Sequence, residues 1–144
     1  MKSYAPIFQY RENRYRKGGT SGAGSIWENR KWKWGIIERY VGNLDDVLDV
    51  GCGDLSFWEG RDCSKYLGLD IFPTIIEKDR QLRPSWQFKV HQAEVPLDVH
   101  ARIVLCMDLL FHMNGRETLS LCERPCVGLS GSSGIMKFPM YVNT

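Results

Sequence analysis

The 144-residue chain lacks several features that would decide its class at once. No window approaches a membrane span, and the start, Met1-Lys2-Ser3-Tyr4-Ala5-Pro6, has no apolar signal core. No membrane partner is expected. The five cysteines, Cys52, Cys63, Cys106, Cys122 and Cys126, are odd in number and no two have CxxC spacing, so no zinc or redox pair is indicated and no metal is expected. Reduced cysteines beside apolar runs fit a cytoplasmic location. The net charge of +2 is too small by itself to argue for nucleic acid or a lipid surface. The basic residues gather in the first forty positions, from Arg11 to Arg39, and read as a solvated face or as a polyanion site. Internal repeats are absent.

What is present is the balance of a soluble globular protein, 43% apolar and 25% charged, at a length that suits one domain. The organising stretch is Val47-Leu48-Asp49-Val50-Gly51-Cys52-Gly53-Asp54-Leu55-Ser56. It reads as a buried parallel strand ending in a sharp turn. Gly51 and Gly53 leave the backbone bare, so a bound molecule can lie against it. Asp49 is expected at the lip of the same turn.

Other elements are placed by pattern. Residues 11–16 could form a short helix or a flexible arm. The Gly-rich stretch 18–25 reads as a linker, or as a loop leading an anionic group to a helix N-terminus. Ser25 and Glu28 have capping-box spacing, and Trp27, Trp34, Ile37 and Val41 recur with helical period before Gly42. A short helix is expected from Leu55. Strands are expected at 47–50, 66–70, 86–90 and 103–107, with helices from Pro73 to the stop at Pro84 and over 116–123. This alternation implies an open, mostly parallel α/β sheet. Asp49, Asp70, Asp108 and the Gln92-Ala93 turn then all fall at strand ends, where such sheets bind ligands. The expected organisation is an N-terminal arm and Gly-rich loop over 1–25, a main domain over 26–130 and an atypical tail over 131–144.

Asp70 lies twenty-one residues after Asp49. An acidic residue at the end of the second strand can accept from both hydroxyls of a ribose, so an adenosine-containing ligand is implied. The dinucleotide fingerprint would need glycine at position 56, which is Ser56. An acidic lip also suits a ligand carrying ammonium and sulfonium groups better than a pyrophosphate. These features point to S-adenosylmethionine.

At this point the sequence resembles the class I S-adenosylmethionine-dependent methyltransferases. Val47–Gly53 is similar to their first motif and Leu67-Gly68-Leu69-Asp70-Ile71 to their second. Val90–Glu94 occupies the third-motif place, and Leu105–His112 resembles the fourth. The loop at 18–25, with Ser25 and Trp27, resembles the N-terminal lid of some small-molecule members. The resemblance implies a Rossmann-like sheet with helices on both faces. It implies cofactor contacts from Ser25, Trp27, Asp49, Gly51, Cys52, Gly53, Asp70, Ile71, Gln92, Ala93, Met107 and Asp108. His112 is the candidate general base, or else a histidine packing the next helix; Trp27 and Met107 have the alternative reading of core residues.

The departures are Leu55 where the motif usually has glycine, Gln92 where it often has aspartate, and a short C-terminal region. Leu55 is expected to pack under a helix, with the approach to the ligand narrowed. The short end implies an open sheet edge, covered by a partner or a homodimer, or a shortened copy. The implied reaction is methyl transfer to a small-molecule acceptor, with sugars among the candidates. The alternatives are an inactive cofactor-binding module, a nucleotide-dependent oxidoreductase, and a nucleic-acid or protein methyltransferase. The fourth motif lacks the Asn/Asp-Pro-Pro-Tyr/Phe pattern, which argues against base amino groups as acceptors.

Overall fold

The computed structural model of the chain describes residues 5–92, 95 and 99–109. Strands β1 (Val47–Val50), β2 (Tyr66–Asp70), β3 (Gln87–Val90) and β4 (Ile103–Leu105) form one sheet in the order β3-β2-β1-β4. Every pairing is parallel. The chain builds outward from β1 to β3 and then returns to the far side of β1. This reversal makes a switch point between the C-terminal ends of β1 and β4.

The register sets the two faces. Val47 pairs with Tyr66 and Ile103, and Asp49 with Gly68 and Leu105, so these side chains share one face. That face is buried throughout. Helix α3 (Pro73–Leu82) packs there, started by Pro73 at its first turn and turning Ile75, Ile76 and Asp79 inward. Trp58, fully buried, fills the space beside it and meets Tyr66, Trp86 and Trp34 edge-on. Helix α2 (Trp27–Val41) closes the cluster by stacking Trp34 on Phe57, 4.7 Å between ring centroids. Gly42 ends α2 at φ 68.

The polar N-terminal stretch is helix rather than arm: α1 covers Ala5–Arg16. Aromatic contacts hold it more than an apolar stripe does. Phe8 stacks on Phe72 at 4.9 Å, and Tyr15 meets the same ring edge-on at 5.5 Å. Glu12 accepts from Thr74, and the Tyr15 carbonyl accepts from Lys78, both on α3.

Four local expectations are corrected. The capping box does not form: Ser25 lies in a 3-10 turn, Ala23–Ser25, and Ile26 caps α2 without a side-chain bond. The extra turn, clipped by Asn29 donating to the Ala23 carbonyl at 3.1 Å, sets Ser25 one residue too early. Trp27 leaves the apolar stripe; it is 78% exposed at φ 48. After the glycine turn the chain makes only a 3-10 turn, Ser56–Trp58, because Leu55 takes left-handed φ 59. Strands β3 and β4 are shorter than expected, starting at Gln87 and ending at Leu105. The expected helix over 116–123 and the tail lie outside the described residues, and among those described no helix is long and apolar enough to cross a membrane.

Candidate ligand site at the switch point

The turn after β1 is held by its own amides. Gly51 and Cys52 both donate to the Leu69 carbonyl, at 2.7 and 3.0 Å. Gly53 donates to Asp70 Oδ2 at 2.9 Å, and Asp54 donates to Ser21 Oγ at 2.8 Å. Gly51 and Gly53 have φ 78 and 60, which only glycine adopts freely. The turn is therefore bare backbone whose N–H groups are already satisfied. A pyrophosphate would need those donors, so the turn suits a ligand that presents something other than phosphate.

Carboxylates ring this turn. Asp70 Oδ1 also accepts from the Phe72 amide at 3.2 Å, so both its oxygens are oriented by backbone. A carboxylate has about four lone-pair sites, so the backbone amides of the turn do not exhaust it and room is left for a hydroxyl donor. Burial pushes the Asp70 carboxyl above its ordinary range, against the pull of the Gly53 and Phe72 amides. Asp49 is turned inward, away from the lip that the sequence suggested. Its Oδ2 accepts from Trp58 Nε1 at 2.7 Å and from the Tyr66 hydroxyl at 2.8 Å. Burial raises it to about 6, with the Asp70 charge adding to the rise and the two hydrogen bonds opposing it. Asp79, fully buried on α3, is pushed up to about 8 by burial and then by the Asp70, Asp54 and Asp49 charges. Asp79 accepts a weak hydrogen bond from the Cys52 thiol at 3.9 Å, and burial raises that thiol. The region is electronegative enough that its acids resist ionising together.

The N-terminal loop lies across the turn. The Ser21 amide donates to Asp54 Oδ2 at 3.0 Å, and Ser21 Oγ lies 3.2 Å from the Tyr15 hydroxyl. Burial lifts Tyr15 to about 12, with the Ser21 contact opposing and Asp70 and Asp54 reinforcing. A Cβ on Gly53 would overlap the Ser21 hydroxyl. Farther along, Lys33 from α2 donates to the Gly24 carbonyl at 2.8 Å and forms an ion pair with Asp108 after β4. Leu109 closes the crevice beside Gly51, whose Cβ position lies 3.3 Å from its side chain.

Of the residues singled out in the sequence, Gly51, Cys52, Gly53, Asp70 and Asp108 gather at the ends of β1, β2 and β4. Ile71 and Met107 pack, half-buried, against the core. Gln92 follows β3 and is exposed; its carbonyl accepts from Val95 at 3.0 Å. Ser25 is half-buried in its turn, and Trp27 points to solvent. Ala93 and His112 lie outside the described residues. Leu55 does not narrow the approach to the turn, because its side chain joins the core at 4% exposure. Residues not singled out include Ser21, Asp54, Tyr15 and Lys33. Ser21 lies in the Gly-rich stretch, Asp54 in the glycine-turn stretch and Lys33 among the N-terminal basic residues, and no local pattern pairs them.

Comparison with solved structures places this arrangement. The chain is similar to magnesium protoporphyrin IX methyltransferase from Synechocystis PCC 6803 with bound S-adenosylhomocysteine, at 18% identity and a TM-score of 0.58, over 83% of this chain and 64% of that one. The fold is that of the class I S-adenosylmethionine-dependent methyltransferases. An amino pentose methyltransferase of calicheamicin biosynthesis from Micromonospora echinaspora, with S-adenosylmethionine bound, matches at 16% identity and TM-score 0.56, over 85% and 50%. The same methyltransferase fold carries the cyclase SpnF, at 18%, 0.56, and 80% and 54%. The chain thus spans between half and two thirds of these proteins. No family model matches the sequence, and no curated protein does.

Proposed function

We propose that this chain binds S-adenosylmethionine at the β1–β4 switch point and serves methyl transfer to a small-molecule acceptor. The observation that carries the reading is the glycine turn itself: its amides are internally satisfied and buried carboxylates surround it. Such a site disfavours phosphate and favours a ligand with positive charge and a ribose. The residues fit the cofactor. Asp70, held by the Gly53 and Phe72 amides, would take a ribose hydroxyl with its remaining lone-pair capacity. Bare backbone at Gly51 and Gly53 would face the amino-acid portion, and Ile71 would lie beside the base. Ser25, Trp27, Cys52, Gln92, Ala93, Met107 and Asp108 remain proposed contacts, with His112 the proposed base, while Asp49, turned inward onto Trp58 and Tyr66, supports the turn from beneath.

When bound, S-adenosylmethionine supplies an electrophilic methyl group. The chain's own contribution is alignment and water exclusion. Ser21 and Gly24 cover the turn from above, and Asp108 borders the side where an acceptor would approach. A neutral amine acceptor would need no base, whereas an oxygen acceptor would gain from one.

The test is calorimetric titration of the folded protein with S-adenosylmethionine, S-adenosylhomocysteine and NAD. Binding of the first two but not the third is expected, with Asp70→Asn weakening it by about tenfold to a hundredfold. Absence of binding to wild-type protein defeats the reading. A second reading is favoured by one observation, the likeness to SpnF, which has this fold and is named a cyclase rather than a methyltransferase. It makes the chain a binding module without transfer, and labelled methyl appearing in any fraction of a cell extract removes it.

A further inference from the structure

Lys33, Gly24 and Asp108 come from three separate parts of the chain and meet at one point. Lys33 is on α2, six residues in from Trp27 at its start. Gly24 is in the loop over the glycine turn, and Asp108 follows β4. The Lys33 side chain is only 12% exposed, although it carries a charge, and Asp108 is 32% exposed. The ammonium donates to the Gly24 carbonyl at 2.8 Å and also to the Asp108 carboxylate. A Cβ at Gly24 would meet Asp108 Oδ2 and lie 3.2 Å from Lys33 Nζ, so a side chain there would push the two partners aside. Asp108 itself sits at φ 58, in the left-handed region that aspartate enters more readily than most residues. A half-buried ammonium sharing two acceptors is a stronger tie than an exposed surface pair.

We propose that Lys33 is a positioning residue that latches the 18–25 loop over the switch point by holding the Gly24 carbonyl and the Asp108 carboxylate at once. The second hold on the loop is at the opposite end, where Ser21 exchanges hydrogen bonds with Asp54. With Ser21 fixed to the end of β1 and Gly24 fixed to the end of β4, the loop bridges the crevice where the ligand would enter. Lys33 is the only one of these holds whose strength comes from charge on both sides. The latch deepens the proposed function by naming what keeps that site covered, and it rests on that reading for its effect on binding.

The experiment has a ligand-free arm and a ligand arm. Amide hydrogen exchange in the free protein is followed by mass spectrometry for wild type, Lys33→Met, Lys33→Arg and Gly24→Ala. Expected is at least about tenfold faster exchange over 18–26 in Lys33→Met and Gly24→Ala, unchanged exchange over β1, and recovery in Lys33→Arg. Exchange over 18–26 equal to wild type in Lys33→Met overturns the latch. So does a parallel rise over β1, which would make Lys33 a general stabiliser, and should Lys33→Met fail to fold, Gly24→Ala decides by the same criteria. In the ligand arm, S-adenosylhomocysteine should leave wild type and Lys33→Arg more slowly than Lys33→Met, by about tenfold. Equal release from all three overturns the link to binding. Failure of wild type to bind at all defeats the cofactor reading and leaves the exchange result standing.

Discussion

Trp58 donates its indole N–H to Asp49 at 2.7 Å, across a turn of nine residues. The Tyr66 hydroxyl reaches the same oxygen at 2.8 Å. One carboxylate oxygen thus satisfies two buried donors from the first and second motif regions. Asp49→Ala strands both donors and should cost about 2–4 kcal/mol. Asp49→Asn can keep a carbonyl oxygen in that place and should cost much less. Chemical denaturation of the two variants checks this. If Asp49→Asn is as damaging as Asp49→Ala, the hydrogen-bond account is wrong.

Leu55 combines a left-handed backbone with a buried side chain, φ 59 at 4% exposure. The two requirements oppose each other. Leu55→Ala loses core packing and keeps the strain, for a loss of about 2–4 kcal/mol. Leu55→Gly loses the same packing but releases about 1–2 kcal/mol of left-handed strain. At an ordinary position glycine would be worse than alanine by about 0.5–1 kcal/mol. Here glycine should be equal or better, and unfolding midpoints of the pair would reveal the inversion or its absence.

The parts legible in the sequence were those fixed by local pattern. Strands β1 and β2 and helix α3 run over the residues that apolar runs, Pro73 and Pro84 suggested. Gly42 stops α2 as its position implied. Asp70 meets the glycine turn, as the motif spacing required. What was not legible depends on distant partners. Helix α1 has its main anchors at Phe8 and Tyr15, seven residues apart, and both pack on a ring in another element. Ser25 looked like a cap because Glu28 followed it, while the serine that reaches the turn is Ser21, whose partner is thirty-three residues away. Lys33 and Asp108 are seventy-five residues apart, and no local rule pairs them.

Gly53 tests the seating of the loop from the other side. Its φ of 60 already disfavours a side chain, and a Cβ would overlap the Ser21 hydroxyl. Gly53→Ala should therefore cost about 1–3 kcal/mol and loosen the loop locally. Ser21→Ala removes the hydroxyl that accepts from the Asp54 amide and should loosen the same segment. Because the methyl group would then meet less obstruction, the double variant should lose less stability than the two single losses added together. Thermal unfolding of all four proteins forms the cycle. Strict additivity would mean that Ser21 and Gly53 are not in contact.

Asp79 makes stability depend on pH with a sign opposite to that of a salt-bridged carboxylate. Its ordinary value is 3.8, and in the folded protein burial and three neighbouring carboxylates lift it to about 8. Between those values the folded state holds a proton that the unfolded chain has released. Stability from this group is therefore complete below about pH 4 and is lost as pH rises through about pH 8. Asp49 adds a smaller slope in the same direction that ends near 6. Asp79→Asn cannot ionise and keeps an oxygen for the Cys52 thiol. Its melting temperature relative to wild type should be lowest near pH 4 and should climb steadily toward about pH 8, while Asp49→Asn should gain only up to about pH 6. Parallel melting curves for wild type and Asp79→Asn across this range would show that Asp79 is not the group that holds the proton.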